Sequence, residues 1–161
     1  MVLTIDIGNT NITLGVFKGE TLVFTSRLAT DTKRTEDQYA FELRNILVLH
    51  ECSRSEIEGT IISSVVPHVG VLMSRAVELL VGYTPMMLGP GVKTGLNIKI
   101  DNPAQLGADL AAGAVAAVAK YPLPCIICDL GTATTISVVD KSGAFLGGAI
   151  AAGLTPTLDA L

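Results

Sequence analysis

The feature that most constrains this chain is a pattern that occurs twice. An apolar segment ends in Asp-x-Gly, turns at once into a second segment of strand-like composition, and turns again into a third. The first copy carries Asp6-Ile7-Gly8-Asn9-Thr10-Asn11-Ile12-Thr13, and the second carries Asp129-Leu130-Gly131-Thr132-Ala133-Thr134-Thr135-Ile136. With Asp6 set on Asp129, Gly8 falls on Gly131, and Lys18 falls on Lys141 at the following turn. A single match of this kind is within reach of chance. The same order of elements at both places points to an internal duplication.

Between the copies, apolar periodicity sets the remaining elements. Residues 2–7, 11–18 and 21–28 read as three strands joined by short turns, hence an antiparallel meander. Residues 35–49 carry acids at the start and Tyr39, Leu43, Ile46 and Leu47 at helical spacing, which predicts a helix capped by Thr35. A strand over 59–64 follows, then a helix opened by Pro67 and running to Val81, a short strand over 85–88 and a loop over 89–95. A helix rich in small residues is predicted over 104–120, then strands over 125–129, 134–139 and 145–151. Strands alternating with helices in the first half call for an α/β fold, a mixed sheet with helices on its faces.

The duplication also bears on domain organisation. The expected first domain spans residues 1–122 and includes the helix 104–120. The second spans 123–161 and contributes three strands and the first turns of a helix over 155–161. The first copy runs to Leu88 before its sheet and helices are finished, so the second copy is expected to be incomplete in this chain.

Composition excludes several classes of function. Charged residues make up 16% of the chain, the formal net charge is −4, and no Lys/Arg cluster occurs, which argues against nucleic acid as a partner. Nearly half the residues are hydrophobic (49%), enough for a sizeable core and an oligomer interface. No apolar run approaches the ~18 residues that a membrane helix needs. The N-terminus has no basic segment before its apolar one and meets Asp6 at once, so a signal peptide is not expected and a cytoplasmic location is. Cys125 and Cys128 have the C-x-x-C spacing of redox and zinc sites. They lie in a predicted strand, where residues three apart point to opposite faces, and no second pair completes a zinc site. His50 and His68 have no ligand-like spacing to them.

The two turns carry the chemistry. Gly8 lets backbone approach an anion without a Cβ in the way. Asn9, Thr10 and Asn11 offer donors to phosphate oxygens, and Asp6 suits magnesium, directly or through water. The second turn, with Thr132, supplies another cradle, and two facing cradles could clamp the phosphate tail of a nucleotide. Phosphoryl transfer depends largely on such positioning. Asp109 is the one acid in an otherwise apolar helix. From the residues alone it reads equally as a satisfied buried acid or as a general base for an alcohol.

Asp6-Ile-Gly-Asn-Thr-Asn, Ile62-Ser-Ser-Val-Val-Pro67, Asp101-Asn-Pro, Gly107-Ala-Asp, Asp129-Leu-Gly-Thr-Ala-Thr-Thr and Gly147-Gly-Ala-Ile-Ala-Ala-Gly, in this order and spacing, resemble type III pantothenate kinases of the actin-like ATPase superfamily. The resemblance covers the whole chain. It implies a duplicated ribonuclease H-like fold, a homodimer, and phosphorylation of pantothenate by ATP as the first step of coenzyme A synthesis. The implied cofactors are magnesium and a monovalent cation, potassium or ammonium. By position it places Asp6, Ile7, Gly8, Asn9, Thr10, Asn11, Ile12 and Thr13 around the ATP phosphates, with Thr132. It places Ile100, Gly107, Ala108, Asp109 and Leu110 at the pantothenate pocket, with Asp109 as proton acceptor, and Asp129 at the monovalent cation. This chain departs from the family at three positions: Ile100 stands where Tyr is usual, Leu110 where Arg is usual and Ala152 where Pro is usual. Loss of that Arg removes a cation that could pair with the pantothenate carboxylate. Two other functions fit the same fold: a non-catalytic nucleotide or metabolite sensor, and a kinase for another small alcohol or acid.

Overall fold

The computed structural model describes residues 1–153 and 157–158. Its contacts divide the chain into two compact units, Met1–Leu88 and Gly89–Leu161.

In the first unit, strands Val2–Ile7 (β1), Asn11–Lys18 (β2) and Thr21–Ala29 (β3) form the expected antiparallel meander. The turn between β2 and β3 uses Gly19 at φ +60, a conformation that costs glycine little. Gly59–Ser64 (β4) then pairs parallel to β1, and Met86–Met87 (β5) pairs parallel to β4. The sheet order is β3-β2-β1-β4-β5, one mixed sheet of ribonuclease H-like type.

The period-2 pattern of the strands decides which face is covered. Leu3, Ile5 and Ile7 of β1 and Ile12, Leu14 and Val16 of β2 are all buried. They share a core with Tyr39, Leu43, Ile46 and Leu47 of helix Glu36–Leu49 (α1) and with Val69, Met73, Ala76 and Val77 of helix Pro67–Val81 (α2). Helix α1 begins in a capping box. Thr35 Oγ1 accepts from Gln38 N–H at 3.3 Å, and Gln38 Oε1 accepts from Thr35 N–H at 2.9 Å. Helix α2 starts at a proline, whose missing N–H is no loss there, and ends at Gly82 in the left-handed region.

The second unit repeats the meander with Cys125–Leu130 (β7), Ala133–Val139 (β8) and Ala144–Ala152 (β9). A two-residue strand, Asn97–Ile98 (β6), pairs parallel to β9, giving the order β6-β9-β8-β7. Helix Ala108–Lys120 (α3) packs on β7 and β8. A small core of Ala114, Val139 and Phe145 forms there, lined by Leu96, Ile98, Ile100, Leu106, Leu123, Cys125 and Ile127. The opposite face of this sheet shows Ile126, Leu130 and Ile136 to solvent. Their counterparts in the first meander, by strand register, are Leu3, Ile7 and Leu14, which α1 and α2 cover.

Three sequence expectations change. The predicted helix 104–120 is a 3-10 turn at Pro103–Gln105 followed by α3 from Ala108. Asn102 caps the turn by accepting from Ala104 N–H at 3.2 Å, and extended backbone at Leu106 breaks the helical path. Strand β6 falls in a stretch with no predicted element, and the predicted strand 85–88 shrinks to its two central residues. The contacts divide the chain after Leu88, so α3, which buries Ala111, Ala114 and Ala117 and packs on β7 and β8, lies in the same compact unit as the second meander. The predicted helix over 155–161 lies outside the described residues except for Thr157 and Leu158, which are helical. Cys125 packs beside the small core while Cys128, on the other face of β7, is exposed. Among the described residues no helix is long and apolar enough to cross a membrane.

Candidate active site

The first turn is held by backbone on both sides. Ile7 pairs with Ile12, and Gly8 N–H donates to the Asn11 carbonyl at 2.9 Å, closing a tight connection from β1 to β2. A Cβ on Gly8 would sit 3.1 Å from that carbonyl oxygen, so the turn is shaped for glycine. Ile7 and Ile12 anchor the turn in the core, whereas Asp6, Asn9, Thr10 and Thr13 are exposed and Gly8 and Asn11 are half-buried. A deep anchor with polar groups at the rim suits a loop that must hold its shape while binding an anion.

A residue beyond the meander completes this turn. Thr30, just after β3, donates its hydroxyl to the Gly8 carbonyl at 2.7 Å, and its N–H donates to the Thr10 carbonyl at 2.9 Å. Both turn carbonyls are thereby tied to the loop after β3. Sequence reading missed Thr30 because it lies 22 residues from Gly8 and belongs to no motif.

Asp6 sits in register with Thr13 on β2 and with Ser63 on β4, so these three side chains share the sheet face opposite the core. Beyond Ser63 the chain is fixed at several points. Ser64 Oγ donates to the Val66 carbonyl at 3.0 Å and accepts from Val66 N–H at 3.1 Å, and Val65 N–H donates to the Ile7 carbonyl at 3.0 Å. Gly70 of α2 lies so close that a Cβ there would come within 3.1 Å of Ser64 Oγ.

The second turn is tighter by one residue: Leu130 pairs with Thr134, and Gly131 N–H donates to the Ala133 carbonyl at 3.0 Å. Gly153, past the end of β9, donates its N–H to the Thr132 carbonyl at 3.1 Å. A Cβ on Gly153 would overlap the carbonyl oxygens of Gly131 and Thr132, so only glycine lets this segment close over the turn. Asp129 and Thr132 are exposed beside it.

The delayed start of α3 changes the setting of Asp109. Gly107 is the N-cap, so Asp109 stands in the first turn rather than in the second, where amide N–H groups lack intrahelical partners. Its Oδ1 accepts from Leu110 N–H at 2.8 Å. A Cβ on Gly107 would collide with that same oxygen, so glycine there leaves room for the carboxylate. Gly107, Ala108, Asp109 and Leu110 are all half-buried. Ile100 packs against the small core of the second unit, and its Cγ2 would lie 3.5 Å from a Cβ on Gly147. A cavity of about 560 Å³ in the first unit, lined by Arg44, Leu47, Val48, Cys52, Ser53, Arg54 and Leu80, includes none of these residues.

The sequence pattern of the type III pantothenate kinases matches residues 2–161. This chain belongs to that family. A type III pantothenate kinase of Halalkalibacterium halodurans is 45% identical over 161 residues, which is 100% of this chain and 63% of that protein. The chain therefore spans less than two thirds of that relative's length. Solved structures are similar in fold at low identity. The activator of 2-hydroxyisocaproyl-CoA dehydratase from Clostridium difficile, with bound ADPNP, gives a TM-score of 0.56 at 16% identity, covering 94% of this chain and 45% of that one. A Ppx/GppA phosphatase of Aquifex aeolicus gives 0.55 at 13%, covering 99% and 54%. This type III pantothenate kinase family member thus shares its α/β fold with these structures.

Proposed function

We propose that the full-length protein transfers the γ-phosphoryl group of ATP to the terminal hydroxyl of pantothenate, the first step of coenzyme A synthesis. The family match over residues 2–161 carries this reading. In it, the rim of the first turn, Asp6 to Thr13, contacts the ATP phosphates, and Thr132 contributes from the second turn. Polar side chains at the rim of a turn whose ends are bonded into the sheet would supply charge stabilisation with little reorganisation.

Asp109 accepts the hydroxyl proton as the substrate oxygen bonds to the γ-phosphorus and the bond to the β–γ bridging oxygen breaks, releasing ADP. The pantothenate pocket draws on Ile100 and Gly107 to Leu110. Leu110 supplies no charge for the substrate carboxylate, so that contact falls to other residues of the full-length protein.

Oxygen donors at the two aspartates suit hard cations. Asp6 is an exposed carboxylate at the C-terminal end of β1, with Thr13 and Ser63 in register beside it, and would hold magnesium directly or through water. Asp129, exposed on the second meander, would hold potassium or ammonium. Cations held there would supply positive charge against the phosphate oxygens. A cytoplasmic homodimer with no nucleic-acid or membrane partner completes the proposal.

The test is ATP turnover by the full-length protein across a panel of small alcohols and acids. Pantothenate-dependent release of ADP supports the reading. Turnover only with another acceptor redirects it to a different small-molecule kinase. Tight ATP binding without turnover on any acceptor replaces it with a sensor.

A further inference from the structure

Ser63 is buried, with 8% of its surface exposed, and its Oγ is the one buried side-chain oxygen or nitrogen without a hydrogen-bond partner among the described residues. A hydroxyl buried without a partner is destabilising, by about 1–3 kcal/mol in typical cases, and calls for an explanation. Alanine would fit the same strand position without that cost.

Its location supplies one. Ser63 is the parallel-register partner of Asp6, so its side chain leaves the sheet on the Asp6 face, one strand spacing of roughly 4.8 Å away. Thr13 flanks Asp6 on the other side in the same row. The row lies near the carboxyl ends of β1 and β4, where open α/β sheets bind their ligands. The hydroxyl cannot easily drift from this row. The bonds of Ser64 to Val66, and of Val65 to Ile7, fix the backbone immediately after it.

We infer that Ser63 is a positioning residue for the metal–nucleotide site: its hydroxyl is held in reserve for the Asp6 carboxylate and the water shell of a divalent cation bound there. The inference rests on the proposed ATP site and extends it to a strand that carries no phosphate-binding motif. A serine hydroxyl donates one hydrogen bond and accepts up to two, so it can donate to a carboxylate while accepting from a coordinated water.

The experiment uses the full-length protein, manganese as the paramagnetic probe and a non-hydrolysable ATP analogue. Manganese binding is followed by electron paramagnetic resonance, and analogue binding by calorimetry with and without metal. For Ser63→Ala we expect manganese affinity in the presence of the analogue to fall about three- to tenfold, the equivalent of one hydrogen bond. Metal-free analogue affinity should be unchanged, and the melting temperature equal or higher because the unpaired oxygen is gone. Ser63→Cys, close in size with a weaker donor, should fall between the two. Unchanged manganese affinity in Ser63→Ala, with wild-type binding intact, overturns the inference alone. So does a lowered melting temperature in both variants, which would make Ser63 a packing residue. Wild-type protein that binds the analogue without metal dependence overturns the proposed site and this inference together.

Discussion

Thr30→Val replaces the hydroxyl that Thr30 donates to the Gly8 carbonyl with a methyl group of nearly the same shape. The 2.7 Å bond is partly buried, and the backbone bond from Thr30 N–H to the Thr10 carbonyl survives the change. What is lost is one neutral hydrogen bond, a net of about 0.5–1.5 kcal/mol. Part of that loss falls on the folded state as a whole and part on the conformation of the turn. If all of it falls on the turn, nucleotide affinity drops by roughly two- to thirteenfold, taking about 1.4 kcal/mol per factor of ten. The assay is titration of full-length protein with ATP, read both as Kd by calorimetry and as KM in turnover. KM should rise within that range while kcat stays within about a factor of two, because uniform binding is being removed rather than transition-state binding. Thr30→Ser should restore the wild-type value. A folded Thr30→Val protein with wild-type Kd and KM would refute the argument that the loop after β3 sets the shape of the phosphate turn.

Three further outcomes follow from single contacts. Asp109→Asn should lower kcat by about 10²–10⁴, the usual contribution of a positioned general base, with ATP affinity unchanged by calorimetry; full activity would remove Asp109 from the mechanism. Tyr39 is fully buried, and its hydroxyl donates to the Asp31 carbonyl at 2.8 Å and accepts from Asp31 N–H at 3.2 Å, so Tyr39→Phe should cost about 1–3 kcal/mol in urea unfolding. Asp140 closes the β8–β9 turn by accepting from Ser142 Oγ at 2.6 Å and from the Ser142 and Ala144 amides, and its carboxyl is held down to about 2 by those bonds and the nearby Lys99. A depressed folded value means this contribution is present above the ordinary carboxylate range and is lost as pH falls from about 4 through about 2. Thermal melts across that window should therefore be flatter for Asp140→Asn than for wild type.

Much of the fold is legible because local signals agree with the final structure. The strands of both meanders carry period-2 or continuous apolar runs between turn residues, and Thr35 followed by acidic residues announces the start of α1. Strand β6 left no such trace, since two residues cannot display a period and its partner strand begins at Ala144. The late start of α3 was hidden for a different reason. Ala104 and Gln105 are good helix formers, but Asn102 draws them into a separate turn and Leu106 takes extended backbone.

The candidate site divides in the same way. Residues 6–13 and 129–132 stand out in the sequence because glycine and the small polar residues around it have a local conformational reason to be there. Thr30 and Ser63 do not, because each acts through neighbours distant in the chain. The same residue types also mean different things in the two meanders. Leu3, Ile7 and Leu14 are core under α1 and α2, while Ile126, Leu130 and Ile136, at matching register positions, face solvent among the described residues.

The duplicated turns, the capped helix and the family are each written in residues close together whose backbone preferences or order are specific. That α3 packs on the second sheet, that Thr30 braces the first Asp-x-Gly turn, and that a buried serine stands in register with Asp6 emerges only from the folded chain. Those outcomes depend on strand register and helix packing, which bring together groups that nothing in their local sequence connects.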